Sequence, residues 1–341
     1  MRDQLPNGFT SRSATTDDAP CVAALWNHRS GATSGERTST PARVLRNWDH
    51  PKFDLSTDSR LVFAPDGGLI GYAHIRDVKD PPVDVFTGCC VHPDYDEAEW
   101  LWDDLFAWMD SEARRVIPRA PEDARIALVA GTSKQDMTRQ RELARHGFEY
   151  SRTFHRMRIG FRTAGEPPRD REPNPLPEGI RVRNIVPGDD DIGFVAAHRA
   201  AFADHYGVLQ QPLEIDLQEW RQLMREDEFD ASLWFVAHAV GKAEIVGLCA
   251  CYAEAPGDPE CGAVSDLGVR PAWRRRGIGQ TLLLHAFAEM ARRGIRGAVL
   301  NVDSANRTGA PALYERVGMR SASASHTYVK ELRPGVNLVP Q

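Results

Sequence analysis

The stretch whose reading decides the fold runs from residue 266 to residue 294: "DLGVRPAWRRRGIGQTLLLHAFAEMARRG". It opens in a β-rich run ("VSDLGV", 264–269) and closes in a segment whose apolar residues recur at helical spacing. A strand therefore gives way to a helix across "RRRGIGQT" (274–281), with the helix starting near Gly279. Amides at a helix start have no acceptor inside the helix, and they carry the positive end of its dipole. Gly277 and Gly279 remove the Cβ atoms that would hold a ligand away, and Arg274, Arg275 and Arg276 add charge. The combination specifies a phosphate group, with a pyrophosphate the natural guess.

Two familiar phosphate loops do not fit. A P-loop needs a Lys after its last Gly, whereas Gln280 and Thr281 follow Gly279. A dinucleotide fingerprint needs a third Gly where Leu282 stands.

The same order of features occurs twice in the chain. Each copy opens on a short strand and an acidic or polar turn ("TTDD", "PGDDD") that suits a helix N-terminus. Each then shows two β-rich runs about a Gly-containing turn, "RLVFAPDGGLIGYAHI" (60–75) and "LWFVAHAVGKAEIVGLCACY" (233–252). Third strands ("VDVFTGCCVHP", "CGAVSDLGVRP") lead into amphipathic helices, then closing strands ("ARIALVAGT", "RGAVLNVDS"). A second helix stops at "RHGF" (145–148) and "RVGM" (316–319), where Gly suits a left-handed cap. Between the copies, "TAGEPPRDREPNPLPE" (163–178) has five prolines and alternating charge, which reads as a linker. Hairpins followed by helix-connected strands predict sheets that are antiparallel early and parallel late.

Composition bounds the rest. A chain of 341 residues is expected to build two cores, and 42% hydrophobic with 26% charged residues is an ordinary globular balance. The net charge of -6 argues against nucleic acid as a partner, so the arginine cluster is a local device. The six cysteines show neither CxxC nor zinc-site spacing, and no metal is expected. No apolar signal core and no membrane-length apolar window occur, so a cytoplasmic protein without membrane contact is expected.

The arginine and glycine loop after a strand ending in Val269 resembles the acyl-CoA loop of the GCN5-related N-acetyltransferase (GNAT) superfamily. The later stretch "LNVDSANRTGAPALYERVGM" (300–319) is similar to that family's second cofactor segment. The resemblance covers most of residues 180–332, and the duplication resembles tandem members. It implies an α/β (α+β) fold of two GNAT-like domains, each a mixed, mostly antiparallel sheet flanked by helices. These would be a degenerate domain over 1–162, the linker 163–178, and a catalytic domain over 179–341. Carried over, it implies that amides around Arg275, Arg276, Gly277, Ile278, Gly279 and Gln280, with Arg274 beside them, hold the pyrophosphate of acetyl-CoA. Thr281 would add a hydroxyl, Leu267 and Val269 would pair with the pantetheine arm through their main chain, and Asn306 would bond that arm. Tyr314 would protonate the departing thiolate.

The strand Glu that many members use as a base is replaced by Ala263. Asp266 is the first candidate in its place, with Glu254 and Glu260 nearby. Asp266 could equally orient substrate. Asn306 could equally cap the helix that follows. In "AFADHYG" (201–207), His205 and Tyr206 are expected to line the acceptor wall, together with Glu254; Trp220 and Trp234 read better as packing residues. The first copy's loop, "VHPDYDEAEW" (91–100), carries Asp94, Asp96, Glu97 and Glu99, which would repel a pyrophosphate, and it sets Leu143 and Gln135 opposite Tyr314 and Asn306.

The implied activity is acetyl-CoA-dependent N-acetylation of a primary amine of a small molecule, by direct attack in a ternary complex. Two alternatives stay open: a transferase for another acyl-CoA, and a non-catalytic CoA-binding protein, which the presence of Tyr314 argues against. The acceptor is open, and the chain is expected to be a monomer or a homodimer.

Overall fold

The computed structural model describes residues 5–35, 37, 39–161, 175–209, 211–241, 244–306 and 308–339. Most of the proline-rich stretch read as a linker lies outside them, at residues 163–174. Two compact units divide the chain: Met1–Thr153 with Ala324–Leu338, and Phe154–Ser323 with Val339–Gln341.

Unit 1 opens with β1 (Thr10–Arg12), α1 (Ala19–Thr33), α2 (Pro41–Trp48) and α3 (Leu55–Asp58). It continues through β2 (Ser59–Phe63), β3 (Leu69–Arg76), β4 (Asp84–Val91), α4 (Glu99–Ala113), β5 (Ile126–Ser133) and α5 (Met137–Arg145) to β6 (Glu149–Gly160). Unit 2 runs β7 (Ile180–Asn184), α6 (Asp191–Phe202), α7 (Leu213–Leu223), β8 (Phe235–Ala239), β9 (Ile245–Tyr252) and β10 (Cys261–Val269). It closes with α8 (Ile278–Arg292), β11 (Gly297–Asp303), α9 (Ala310–Arg316) and β12 (Arg320–Arg333).

Within unit 1 the strand order is β1-β2-β3-β4-β5-β12, and within unit 2 it is β6-β11-β10-β9-β8-β7. The β4–β5 and β10–β11 pairs are parallel and the other pairs inside each unit antiparallel, so both sheets are mixed and mostly antiparallel, as the hairpin signals predict. Gly147 and Gly318 adopt φ of 82° and 96°, the left-handed caps expected after α5 and α9. The two long strands β6 and β12 follow those caps. The chain leaves unit 1 inside β6, whose residues from Phe154 pair with β11, and returns inside β12, whose residues from Ser325 pair with β5. Among the described residues no helix is long and apolar enough to cross a membrane.

Three features of unit 2 shape its site. First, β9 is buried along Ile245–Cys251, and helices cover both of its faces. A Cβ at Gly247 would stand 3.1 Å from Ile278 and Leu282 of α8. One at Gly268, on the opposite face of β10, would meet Ala201 and Phe202 at the end of α6 at 2.8 Å. Second, the β9–β10 register shifts between Val264 and Asp266, so Ser265 is an extra residue and Asp266 takes the place opposite Ala250. Third, β10 pairs with β11 only from Cys261 to Ala263, although β10 runs on to Val269 and β11 to Asp303. The two strands splay, and a cleft opens beyond the last pair.

Candidate active site

The cleft holds about 340 Å³. Its walls are the free end of β10 at Leu267–Val269, the glycine loop, the start of α9 at Thr308–Ala310, and Leu313 and Tyr314, with His205 at its edge.

The glycine loop is built as its sequence demands. Gly277 is the residue preceding α8 and has φ 83°, a conformation that only a residue without Cβ takes freely. Arg275, at φ 65°, is the non-glycine residue with positive φ among those described. These two left-handed residues turn the chain sharply, so the amides of Ile278, Gly279 and Gln280 lie on the helix's first turn, without intrahelical acceptors. A Cβ at Gly279 would make only ordinary contacts, 3.5 Å from Leu313 and 3.6 Å from Val269. The protein's own packing does not require that glycine, which leaves close approach of a ligand as its use.

The three arginines differ. Arg274 is a strut: its guanidinium donates to Val269 O (3.1 Å) and Ala201 O (3.0 Å) and pairs with Asp204 at 3.3 Å. That ties the loop to β10 and to the end of α6, so its donors are engaged inside the protein. Arg276 lies over the Trp273 ring, 5.0 Å from its centroid. Arg275 is exposed, and its guanidinium reaches over Gly309, where an added Cβ would come within 3.1 Å. Among the described residues it has no ion-pair partner, and with Arg316, which also lines the cleft, it is placed to meet an anion there.

At the other end of the cleft lies Tyr314, 7% exposed, with no hydrogen-bond partner among the described residues. Burial raises its phenol well above the usual range, and Cys249 and Asp266 add to the effect, so it stays protonated and can donate. Asp266, placed by the bulge, is hydrogen-bonded to His198 of α6, Nε2 and Oδ1 3.2 Å apart; neither side chain is among the residues lining the cleft, and the pair joins α6 to the strand whose free end forms its wall. Tyr252, raised to about 12 by burial and then by Asp266, faces the same carboxylate. His198 stacks on Phe202 (4.5 Å between centroids), which meets His205 edge-on at 4.7 Å. Burial lowers His205, which favours a neutral imidazole there.

Other residues singled out from sequence fall elsewhere. Thr281 is 2% exposed, sits in the packed side of α8, and does not line the cleft. Asn306 does not line it either: its Oδ1 accepts from Thr308 N (2.9 Å), Thr308 Oγ1 (2.7 Å) and Ala310 N (3.4 Å). It organises the turn into α9, the capping alternative, and so shapes the cleft wall. Glu254 is exposed in the bend after β9, and Glu260 pairs with Arg296 at 2.7 Å. Neither carboxylate lies among the residues lining the cleft. Tyr206 packs its ring on Phe154 (6.3 Å) rather than on the cleft. Trp220 stacks on Phe194 (4.2 Å) and Trp234 is 2% exposed, so both are core residues. The residue that sequence reasoning missed is His198. Its signal is faint: it lies four residues before Phe202 on the face of α6 that meets β10.

Unit 1 is built differently at the matching place. Asp96, in the acidic loop after β4, and Asp136, before α5, are both bound by the buried Arg29 of α1. Arg29 Nε donates to Asp136 Oδ2 at 2.8 Å, and the Arg29 guanidinium lies 5.7 Å from the Trp102 ring centroid. Carboxylates tied to an internal guanidinium thus stand where unit 2 offers the amides of α8 and an exposed Arg275.

The model of the acetyltransferase (GNAT) family matches residues 195–319, the span from α6 to the end of α9. Mycothiol acetyltransferase of Salinispora arenicola is 32% identical over 276 residues, 78% of this chain and 80% of that protein. That of Streptomyces griseus is 30% identical over 277 residues, 80% of each. The crystal structure of a GCN5-related N-acetyltransferase from Sphaerobacter thermophilus matches with a TM-score of 0.81 at 30% identity, over 98% of this chain and 99% of that one. A tandem GNAT protein from the clavulanic acid biosynthesis pathway shares the fold at a TM-score of 0.67 and 14% identity, over 96% and 100% of the two chains. The chain belongs to the GNAT family of acetyltransferases, in its tandem form. The tandem layout is similar to that of mycothiol synthase, the arrangement to which the duplicated sequence pattern points.

Proposed function

We propose that this acetyltransferase uses acetyl-CoA to acetylate a primary amine of a small molecule by direct attack in a ternary complex, at a single site in unit 2. The observation that carries the reading is the cleft between the splayed ends of β10 and β11, with the N-terminal amides of α8 and Arg275 at one end and the buried Tyr314, which has no hydrogen-bond partner among the described residues, at the other. The residues present fit acetyl-CoA. A pyrophosphate would be met by the amides of Ile278–Gln280 and by Arg275, and the pantetheine arm by the main chain of Leu267 and Val269, which has no partner strand on that side. Bound there, acetyl-CoA supplies the activated acyl group.

The chain's own residues do the rest. Asp266, coupled to His198, accepts the proton that the amine loses on attack. The Tyr314 hydroxyl delivers a proton to the sulfur as the C–S bond breaks, so the carbon that gains N loses S and the two protons balance. No cysteine lines the cleft among the described residues, and the acetyl group passes directly to nitrogen. In unit 1 the Arg29, Asp96 and Asp136 cluster takes the place of an anion site, which supports a single cofactor site per chain. The relatives named mycothiol acetyltransferase support the free amine of desacetyl mycothiol as the acceptor.

Calorimetric titration of acetyl-CoA tests the site. One equivalent per chain, lost in Gly277→Glu, is expected; two equivalents would overturn the single-site reading and no binding would remove the acetyl-CoA reading. Chromatographic detection of mycothiol from desacetyl mycothiol and acetyl-CoA tests the acceptor.

A further inference from the structure

The face of β3 that lies under α1 and α2 carries polar side chains where a sheet covered by helices is ordinarily apolar. Alternation along the strand puts Tyr72, His74 and Arg76 on that face, while the other face packs on α4, where a Cβ at Gly71 would touch Leu101 at 3.0 Å. Above the three side chains is a cleft of about 260 Å³, wholly within unit 1, whose apolar walls include Trp26, Trp48 and Phe53.

The groups beneath it are held in place. Trp48 Nε1 donates to the Tyr72 hydroxyl at 2.9 Å, and the Tyr72 ring stacks on His74 with centroids 5.4 Å apart. His74 lies over Gly88, its partner in β4, and a Cβ there would come within 2.3 Å of the imidazole, so the position of the ring depends on that glycine. Two polar atoms remain unused: His74 Nδ1 and Arg76 Nε are buried and have no hydrogen-bond partner among the described residues. Burial, with Arg76's charge, lowers His74 to about 3 and keeps it neutral. The charged side chains lining the cleft are Arg43 and Arg76, and no carboxylate lines it among the described residues. A cleft whose charged lining is cationic and whose other walls are aromatic is complementary to an anion on an apolar body.

We infer that unit 1 carries a second small-molecule site, separate from the acetyl-CoA chemistry of unit 2, for an organic carboxylate on a flat, apolar body. The carboxylate takes hydrogen bonds from the outer nitrogens of the Arg76 guanidinium, and the body lies among Trp26, Trp48 and Phe53.

Calorimetry on the full chain tests this with three ligands of one shape and different charge: indole-3-acetate, indole-3-acetamide and tryptamine. One equivalent of indole-3-acetate is expected to bind, the acetamide roughly tenfold more weakly, and tryptamine not at all. In Arg76→Gln the affinity for indole-3-acetate falls by roughly tenfold or more, while the affinity for acetyl-CoA is unchanged. Absence of indole-3-acetate binding up to about 5 mM overturns the proposal, as does tryptamine binding equally well. An unchanged affinity in a folded Arg76→Gln also overturns it. The charge series is read on the unmodified chain, so it decides even where that variant fails to fold.

Discussion

His198 Nε2 stands 3.2 Å from Asp266 Oδ1, joining α6 to the bulged strand that lines the cleft. The pair gives the carboxylate a partner that can share the proton released by the amine, on a strand whose position 263 is Ala and offers no acid. Replacing either residue breaks the same relay. Asp266→Asn and His198→Ala should each lower kcat/KM by about 10²-fold, with the double variant little worse than the poorer single one. A double-mutant cycle on kcat/KM checks this, and additive losses would separate the two residues.

Tyr314 contributes a ring to the core and a hydroxyl to the cleft. Tyr314→Phe keeps the ring, so the melting temperature should hold while kcat falls by about 10²-fold and the KM for acetyl-CoA stays within a factor of about two. Because burial raises the phenol far above 10, the wild type should show no alkaline loss of rate from this group in the ordinary assay range. A pH profile of kcat for both proteins tests the assignment.

The three adjacent arginines should separate by function. Arg275→Gln, which removes an exposed guanidinium without an ion-pair partner among the described residues, should weaken acetyl-CoA binding about fivefold at low salt and less at high salt, with no change in melting temperature. Arg274→Gln cuts the ties to Val269, Ala201 and Asp204, and should lower the melting temperature by about 2–4 °C. Thermal melts and titrations of the two variants side by side distinguish strut from ligand.

Acid should weaken unit 1 through Asp18. Its carboxylate accepts from Arg12 and from Thr15 N (2.8 Å), and the Arg12 hydrogen bond leads in holding it down at about 2 against an ordinary 3.8. A depressed carboxylate stabilises the fold above the unfolded value and loses that contribution as pH falls through the folded one. Asp18→Asn should therefore melt lower than wild type at pH 7, and the difference should close between about pH 4 and pH 2. A gap that persists at pH 2 would assign the effect to packing instead.

Much of the fold was legible because its signals are local. Gly277 before a helical period, Gly147 and Gly318 after one, and the Val-x-Pro strand ends each follow from backbone conformation or periodicity, and the structure shows elements at those places. The candidate site was legible where chemistry and backbone coincide, at Gly277–Gln280 and Tyr314, which line one cleft. It was not legible where a side chain's partner lies far along the chain. Arg274 reads like its neighbours until Ala201 and Asp204 are seen beside it, and His198 gains meaning only from Asp266. The bulge at Ser265 leaves no mark in composition, yet it decides which side chain of β10 stands opposite Ala250. Pairing of β12 with β5 is likewise a long-range choice that no local pattern announces.

That choice fixes the order in which the protein can be completed during synthesis. Tyr328 and Leu332, from β12, belong to the same apolar cluster as Leu101, Trp102 and Leu128, while Met157 and Ile159, from β6, belong to the cluster around Phe287 and Met290. A ribosome that has released residues 1–162 has delivered an incomplete sheet, because the strand that borders β5 is encoded after the whole of the second copy's α8, β11 and α9. The first unit to emerge is thus the last to be finished, and a gene cut between the two copies would yield two fragments, each carrying a strand that belongs in the other's sheet. Duplication supplied two similar halves, and the exchanged strands have made them one inheritable piece.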